Sequence, residues 1–247
     1  MFERRAKIVA TIGPSSQDEA VLTRLIQAGM EVARLNFSHG THAQHEATIA
    51  KIRKISKELG KPVAILQDLQ GPKLRVGDLP QEGIKLTAGH KLVLAPAPLP
   101  DQIKSLSADA TVIPMEVPNL MGSIKEGNRI LLDDGQMELV VAQVGENYLE
   151  ATVVLGGVLQ SHKGVNLPGA SLDIPAFTEK DHADLEFGLQ HQVDAVAISF
   201  VRTADNIAQV RAHIQQMAPE LASIPIIAKL ERPEAITNLK EIVAAAD

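Results

Sequence analysis

The sequence has no cysteine and no tryptophan, a single tyrosine and only 2% aromatic residues. Without Cys there is no disulfide framework, no thiolate metal site and no thiolate nucleophile, a usage that suits a cytoplasmic protein. Scarce aromatics argue against a base-stacking platform. The formal net charge of -6 argues against the basic footprint of a nucleic-acid binder. No apolar run approaches the roughly 20 residues that span a bilayer, and the start MFERRAKIVAT has two arginines but no apolar segment ahead of a small-residue cleavage site. The expectation is a soluble, untargeted chain without nucleic-acid or membrane partners, in which any phosphate is held by a few placed cations.

What is present reads as globular. Of 247 residues 45% are hydrophobic and 22% charged, with 17 Gly and 14 Pro spread along the length, enough for one or two domains. Residues 1–75 alternate β-rich runs with helical periodicity. KIVATI (7–12) predicts a first strand, and Ser16 with Glu19 a capping box before a helix carrying Val21, Leu22, Leu25 and Ile26, ended by Gly29. VARLNF predicts the second strand, residues 42–59 a helix with Ile49, Ile52, Ile55 and Leu59 inward, and PVAILQDL (62–69) the third strand. Across residues 76–170 the helical period disappears. Short alternating stretches such as HKLVLA, NRILL and ELVVAQV, with a turn at DDGQ, predict an inserted all-β domain there.

From 171 to 247 the βα rhythm returns. Thr178 with Asp181 opens a helix, AVAISF (195–200) is a fourth strand, and Ile207, Val210, Ile214 and Met217 mark the next helix. IPIIAKLE (224–231) is a fifth strand, and Pro233 begins a last helix with Ile236, Leu239, Ile242 and Val243. Five such units, with only one Gly in the first βα turn GPSSQ, predict part of an α/β (β/α)8 TIM barrel rather than an open doubly wound sheet.

In such a barrel, ligands gather at the C-terminal strand ends. Arg34, Asn36 and Ser38 recur at every second position and so share one face, where a cation and two oxygen-bearing groups suit a phosphate or a monovalent cation; a surface salt bridge is the plainer reading of Arg34. Asp68 ends the third strand before QGPKLR, where it either caps the turn or joins the site. Ser199, Phe200 and Arg202 end the fourth strand. Lys229 and Glu231, two apart on the fifth, are either an ion pair or a cation aimed at a developing anion beside a carboxylate for Mg²⁺. Lys163 is a solvated loop charge unless the insertion closes over the barrel as a lid. His39 and His42 lack partners at zinc spacing and read as loop or cap residues.

Taken in order, KIVATIGPSS, VARLNFSHGTH, DLQGPKLR, KGVNLPGASLDIPAFTEKD, AISFVR and IAKLERPEAI closely resemble the pyruvate kinase family, from residue 5 to residue 247. The resemblance implies a (β/α)8 barrel with the β insertion as a mobile lid. It implies a glycolytic phosphotransferase that moves the phosphoryl group of phosphoenolpyruvate to ADP, giving pyruvate and ATP. Arg34 would then hold the transferring phosphate, and Asn36, Ser38 and Asp68 would form the monovalent-cation site. Lys229 would stabilise the transition state and the enolate, and Glu231 would bind Mg²⁺ (or Mn²⁺). Arg75 and Lys163 would face the nucleotide phosphates, with Phe37, Ser38 and His39 of the NFSH loop on that side. The resemblance also implies a homotetrameric full-length form. An aldolase-like lyase barrel is the enzymatic alternative, against which the β insertion and GVNLPG speak; a truncated paralogue that binds without turnover is the other.

Two departures from the family pattern carry expectations. After Asp68 the chain reads LQGPKLR where potassium-dependent relatives look like TKGPEIR, so Leu69 offers no side-chain oxygen and Lys73 stands in place of an acid. A tethered ammonium in place of K⁺ predicts weak or absent potassium dependence. The chain also ends where a sixth strand is expected to begin, before a second acidic Mg²⁺ ligand; the expectation is an unpaired strand edge, poor stability and little activity for these residues alone.

Overall fold

The computed structural model describes residues 6–72, 74–100, 103, 111–117, 120–169 and 175–247. The chain divides into two compact units, Met1–Pro72 with Pro175–Asp247, and Lys73–Ile174. In the first unit, strands β1 (Val9–Ile12), β2 (Val32–Asn36), β3 (Ala64–Asp68), β4 (Ala195–Ile198) and β5 (Ile226–Ala228) form one sheet in the order β1-β2-β3-β4-β5. Every neighbouring pair is parallel. Parallel strands added in chain order, each followed by helix, are the growth pattern of a (β/α)8 barrel; a doubly wound sheet reverses direction part-way.

The helices are α1 (Glu19–Ala28), α2 (His42–Leu59), α3 (Glu179–Gln190), α4 (Ala204–Met217), α5 (Pro233–Thr237) and α6 (Leu239–Ala245). Strand residues of one parity, Ala33, Leu35, Ile65, Val196, Ile198 and Ile226, join helix residues such as Leu22, Ile26, Ile52, Ile55, Leu185, Val210 and Ile214 in a single buried core. Because side chains alternate across a strand, Arg34, Asn36, Leu66 and Asp68 point from the opposite face. On β2 that face is the half-exposed one, while Ala33 and Leu35 are buried.

Local chemistry accounts for most boundaries. Thr41 and Thr178 close capping boxes with Gln44 and Asp181. Gly29 and Gly60 end α1 and α2 in the left-handed conformation at φ 108° and 61°. At α1 the expected box is not formed. Asp18 is the N-cap, its carboxylate accepting from the Ala20 and Val21 N–H groups, while Ser16 Oγ accepts from Gly13 N–H in the preceding turn. The capping group therefore lies next to the first helical residue. The single last helix is also corrected: Asn238 interrupts it, its Nδ2 donating to the Arg202 carbonyl, and α5 and α6 result. Ile242 alone of the four apolar residues there is buried; Ile236 and Val243 are exposed. The edge strands β1 and β5 likewise leave Val9 and Ile227 exposed.

The second unit is built of short strands. Seven form one sheet, antiparallel except where Lys91–Pro96 runs parallel to Val112–Glu116, and Ile84–Leu86 pairs with Gly157–Leu159 as a two-stranded ribbon. Leu94, Ile113, Ile130, Leu139 and Leu149 are central to its own core. Among the described residues, Leu120–Ser123 forms a four-residue helical segment. The turn after Leu132 places Asp133 and Asp134 at φ 51° and 55°, as their side chains tolerate. No helix among the described residues is long and apolar enough to cross a membrane.

One close approach ties β3 to α3. Gln67, fully buried, donates from Nε2 to the Asp184 carbonyl, and a Cβ at Gly188 would lie 2.0 Å from Gln67 Oε1. Only glycine leaves room for this amide. Gly188→Ala is expected to destabilise the fold by about 1–3 kcal/mol, read as a lower urea midpoint with an unchanged m-value.

Candidate active site

The parallel register sets the C-terminal strand ends level. Thr11 pairs with Arg34, Asn36 with Asp68, Asp68 with Ala197, and Ile198 with Ala228. Side chains from four strands consequently meet around one carboxylate. Asp68 is 1% exposed. Its Oδ2 accepts from Arg34 Nε at 2.7 Å and from Arg34 Nη2; Lys229 Nζ lies 3.0 Å from Oδ1 and 3.3 Å from Oδ2.

The two cations are fixed further. Arg34 Nη1 donates to Thr11 Oγ1 at 2.8 Å, and Lys229 Nζ donates to Ser199 Oγ at 2.8 Å. Ser199 in turn donates to the Leu69 carbonyl at 2.7 Å. A guanidinium has five N–H donors and an ammonium three, so Arg34 retains donors for an anionic ligand after these bonds, whereas the three of Lys229 are matched by the two Asp68 oxygens and Ser199 Oγ and would meet a ligand by exchange. The Arg34 and Lys229 side chains are 30% and 27% exposed, open enough to meet one.

Glu231 stands beside Lys229, Oε1 to Nζ 3.5 Å. Its other oxygen accepts from the Phe200 N–H at 3.0 Å. Phe200 has φ 56°, a left-handed conformation disfavoured for a bulky side chain and concentrated at functional sites. That backbone turn aims its N–H at the carboxylate. The Phe200 ring carries the Arg232 guanidinium 5.2 Å from its centroid and packs where a Cβ on Gly71 would reach 3.1 Å. Burial pushes the Arg232 guanidinium pKa below its ordinary value.

The loop after β2 returns Ser38 N–H to Asn36 Oδ1 at 3.0 Å. Asn36 ends the strand, so Ser38 lies beyond it in a turn rather than on the same strand face. Phe37 is buried and stacks on His45, ring centroids 4.0 Å apart, while His39 is exposed. Burial also lowers the His45 pKa from its ordinary value. In the second unit, Val76 N–H donates to the Lys163 carbonyl, and Arg75 bridges to Gly164. Arg75 and Lys163 thus sit on adjoining segments, with Lys163 Nζ 2.9 Å from Asp133 Oδ1. Lys73 lies outside the described residues.

A sequence model of the pyruvate kinase barrel domain matches residues 3–247. The chain belongs to the pyruvate kinase family. It is 41% identical to the pyruvate kinase of Thermococcus litoralis over 98% of its length and 49% of that protein's, and 44% identical to pyruvate kinase 2 of Synechocystis over 99% and 40%. Against the human pyruvate kinase PKLR the identity is 40%, covering 99% of the chain and 43% of the relative. The chain therefore spans between two-fifths and one-half of the length of these pyruvate kinases.

Sequence reasoning marked Arg34, Asp68, Lys229 and Glu231, which the structure brings together, and noted Ser199 without giving it a role. It missed Thr11, whose signal was its register opposite Arg34, two residues into an apolar strand. It also missed Lys180 and Asp184, an opposite-charge pair at i,i+4 spacing on α3 whose acid falls on the buried side of the helix.

Asp68 is the shared counter-ion of the cluster, so removing it leaves two cations facing each other. Asp68→Ala is expected to cost on the order of 3–5 kcal/mol, measured by thermal or urea unfolding. Glu231→Gln, at a side chain 37% exposed, should stay within about 0.5 kcal/mol.

Proposed function

We propose that this chain supplies the substrate-binding and charge-stabilising half of a pyruvate kinase, which transfers the phosphoryl group of phosphoenolpyruvate to ADP. The observation that carries this reading is the Arg34–Asp68–Lys229–Ser199 cluster at the C-terminal strand ends. In the transfer, the bond from phosphorus to the enol oxygen breaks, and a bond from phosphorus to a β-phosphate oxygen of ADP forms. The enolate left behind takes up a proton to become pyruvate. Negative charge spreads over the phosphoryl oxygens and the enol oxygen on the way, so placed cations do most of the work.

Arg34 is the residue to hold the phosphoryl group, because its planar fork matches phosphate oxygens and Asp68 and Thr11 fix its orientation in advance. Lys229, a compact charge held by Asp68 and Ser199, is the residue to meet the developing enolate. Asp68 orients both and keeps the empty cluster from carrying uncompensated charge. Arg75 and Lys163 are proposed for the nucleotide phosphates on the family resemblance, as are Phe37, Ser38 and His39.

Mg²⁺ or Mn²⁺ fits Glu231: one partly exposed carboxylate with an oxygen clear of the Phe200 bond suits an ion that takes one or two carboxylates and fills its sphere with water and substrate oxygens. Bound there, the ion would neutralise substrate carboxylate and phosphate charge. A monovalent cation fits less well. Asn36 Oδ1 already accepts from Ser38, and both Asp68 oxygens receive cationic donors. With Leu69 and Lys73 following Asp68 in the sequence, this supports weak or absent potassium dependence. Cytoplasmic location and a homotetrameric full-length form are proposed on the family resemblance.

The test is pyruvate formation from phosphoenolpyruvate and ADP with Mg²⁺, by this chain and by a chimera in which it replaces the matching half of the Thermococcus litoralis relative. The chimera is expected to turn over, and Lys229→Met to lower kcat by roughly 10²–10³ with the fold intact by circular dichroism. Unchanged turnover in that variant would remove Lys229 from the mechanism. The rate is expected to be nearly the same with and without K⁺; a large activation would overturn the proposed independence.

A further inference from the structure

On the helix side of β3, away from the Asp68 cluster, lies a second charged group that the chemistry above does not use. Asp184 of α3 has a side chain only 4% exposed and holds two partners, Lys180 and His42. Its Oδ1 is 2.7 Å from His42 Nε2, and its Oδ2 accepts from Lys180 Nζ. Lys180 Nζ donates as well to the Phe37 carbonyl at 2.9 Å.

Phe37 is the first residue after β2, and His42 is the first residue of α2. One buried carboxylate thus ties down both ends of segment 37–41. A surface Lys–Asp pair four apart on a helix contributes little, but it has no need of burial or of a partner from another element. The rings around it make the clamp tighter: His42 stacks on Phe187 with centroids 4.4 Å apart, and Phe37 on His45. The segment is also joined to the site itself, since the Phe37 N–H donates to the Asp68 carbonyl at 2.9 Å and Gln67 holds the Asp184 carbonyl. What it displays is an exposed His39 and a half-exposed Ser38, directly after the strand that carries Arg34.

We propose that Asp184 is a positioning residue: through Lys180 and His42 it holds segment 37–41 in the conformation that presents Ser38 and His39 to the phosphates of a nucleoside diphosphate. The inference rests on the function proposed above and names the residue that orders the nucleotide side of that site.

Hydrogen exchange and ADP titration of the same chain test it separately. In Asp184→Asn, exchange at the Phe37, Ser38 and His39 amides should rise by at least about tenfold, while amides inside α2 and α3 stay within about twofold. The dissociation constant for ADP, measured by calorimetry with Mg²⁺, should rise in step. Lys180→Met, at a side chain 49% exposed, should loosen the same amides without endangering the core, and His42→Gln, which keeps a donor for Asp184, should retain slow exchange. A rise spread evenly over the chain would make Asp184 a stability residue only, and no rise would remove the clamp; either overturns the proposal. Local loosening without loss of ADP affinity would overturn the assignment to the nucleotide side. Failure of the unsubstituted chain to bind ADP would count against the function proposed above, while the exchange data would still decide the clamp.

Discussion

The arrangement of this chain turns on one buried anion. Asp68 ends a central strand, is almost sealed from water, and would be costly to ionise there alone. Two cations make it tolerable, and they come from β2 and from the residue following β5. The dependence runs both ways. Arg34 and Lys229 are long, flexible side chains, and the carboxylate between them removes most of the rotameric freedom they would otherwise lose on meeting a ligand. Two preoriented positive groups with an internal counter-ion are what a phosphoryl-transfer site requires: charge in place, without net repulsion in the empty state.

The same strand works on both its faces. Asp68 faces the cluster, whereas Gln67, its neighbour, faces the helices and holds the main chain of α3. Helix α3 answers with two acids. Asp181 caps its own helix through Thr178 and also accepts from the Gly71 N–H in the loop after β3, while Asp184 reaches the loop after β2 through Lys180 and His42. Loops that follow neighbouring strands are therefore fixed to one helix, by carboxylates that are themselves buried. Buried charge of this kind adds little net stability over an apolar packing but specifies geometry, because few arrangements satisfy it.

The second unit, taken by itself, shows the same economy. Its core is aliphatic, its strands short, and the cations Arg75 and Lys163 stand on adjoining segments with Asp133 as the partner of Lys163. An ion pair of two partly exposed side chains is weak in water. Asp133 thus holds Lys163 only loosely.

How much of this was readable in the residues depends on the range of the interaction. Strand and helix types followed from apolar periodicity, and helix limits from Thr178 and Gly29, because these are contacts within a few residues. The misreadings were local as well: Asp18 outcompeted Ser16 as a cap, and Asn238 split the last helix. Arg34, Asp68, Lys229 and Glu231 could be nominated because strand ends are where barrels place chemistry, and the family resemblance gave them roles.

The sequence by itself determined the βα order, the barrel class, the family and the residue types at each strand end. Tertiary structure alone decided that Asp68 binds two cations, that a strained Phe200 aims its N–H at Glu231, and that Asp184 joins the loop after β2 to α3. Those contacts join residues from 31 to 161 positions apart. Their partners are selected by strand register and side-chain reach, which no periodicity along the chain records.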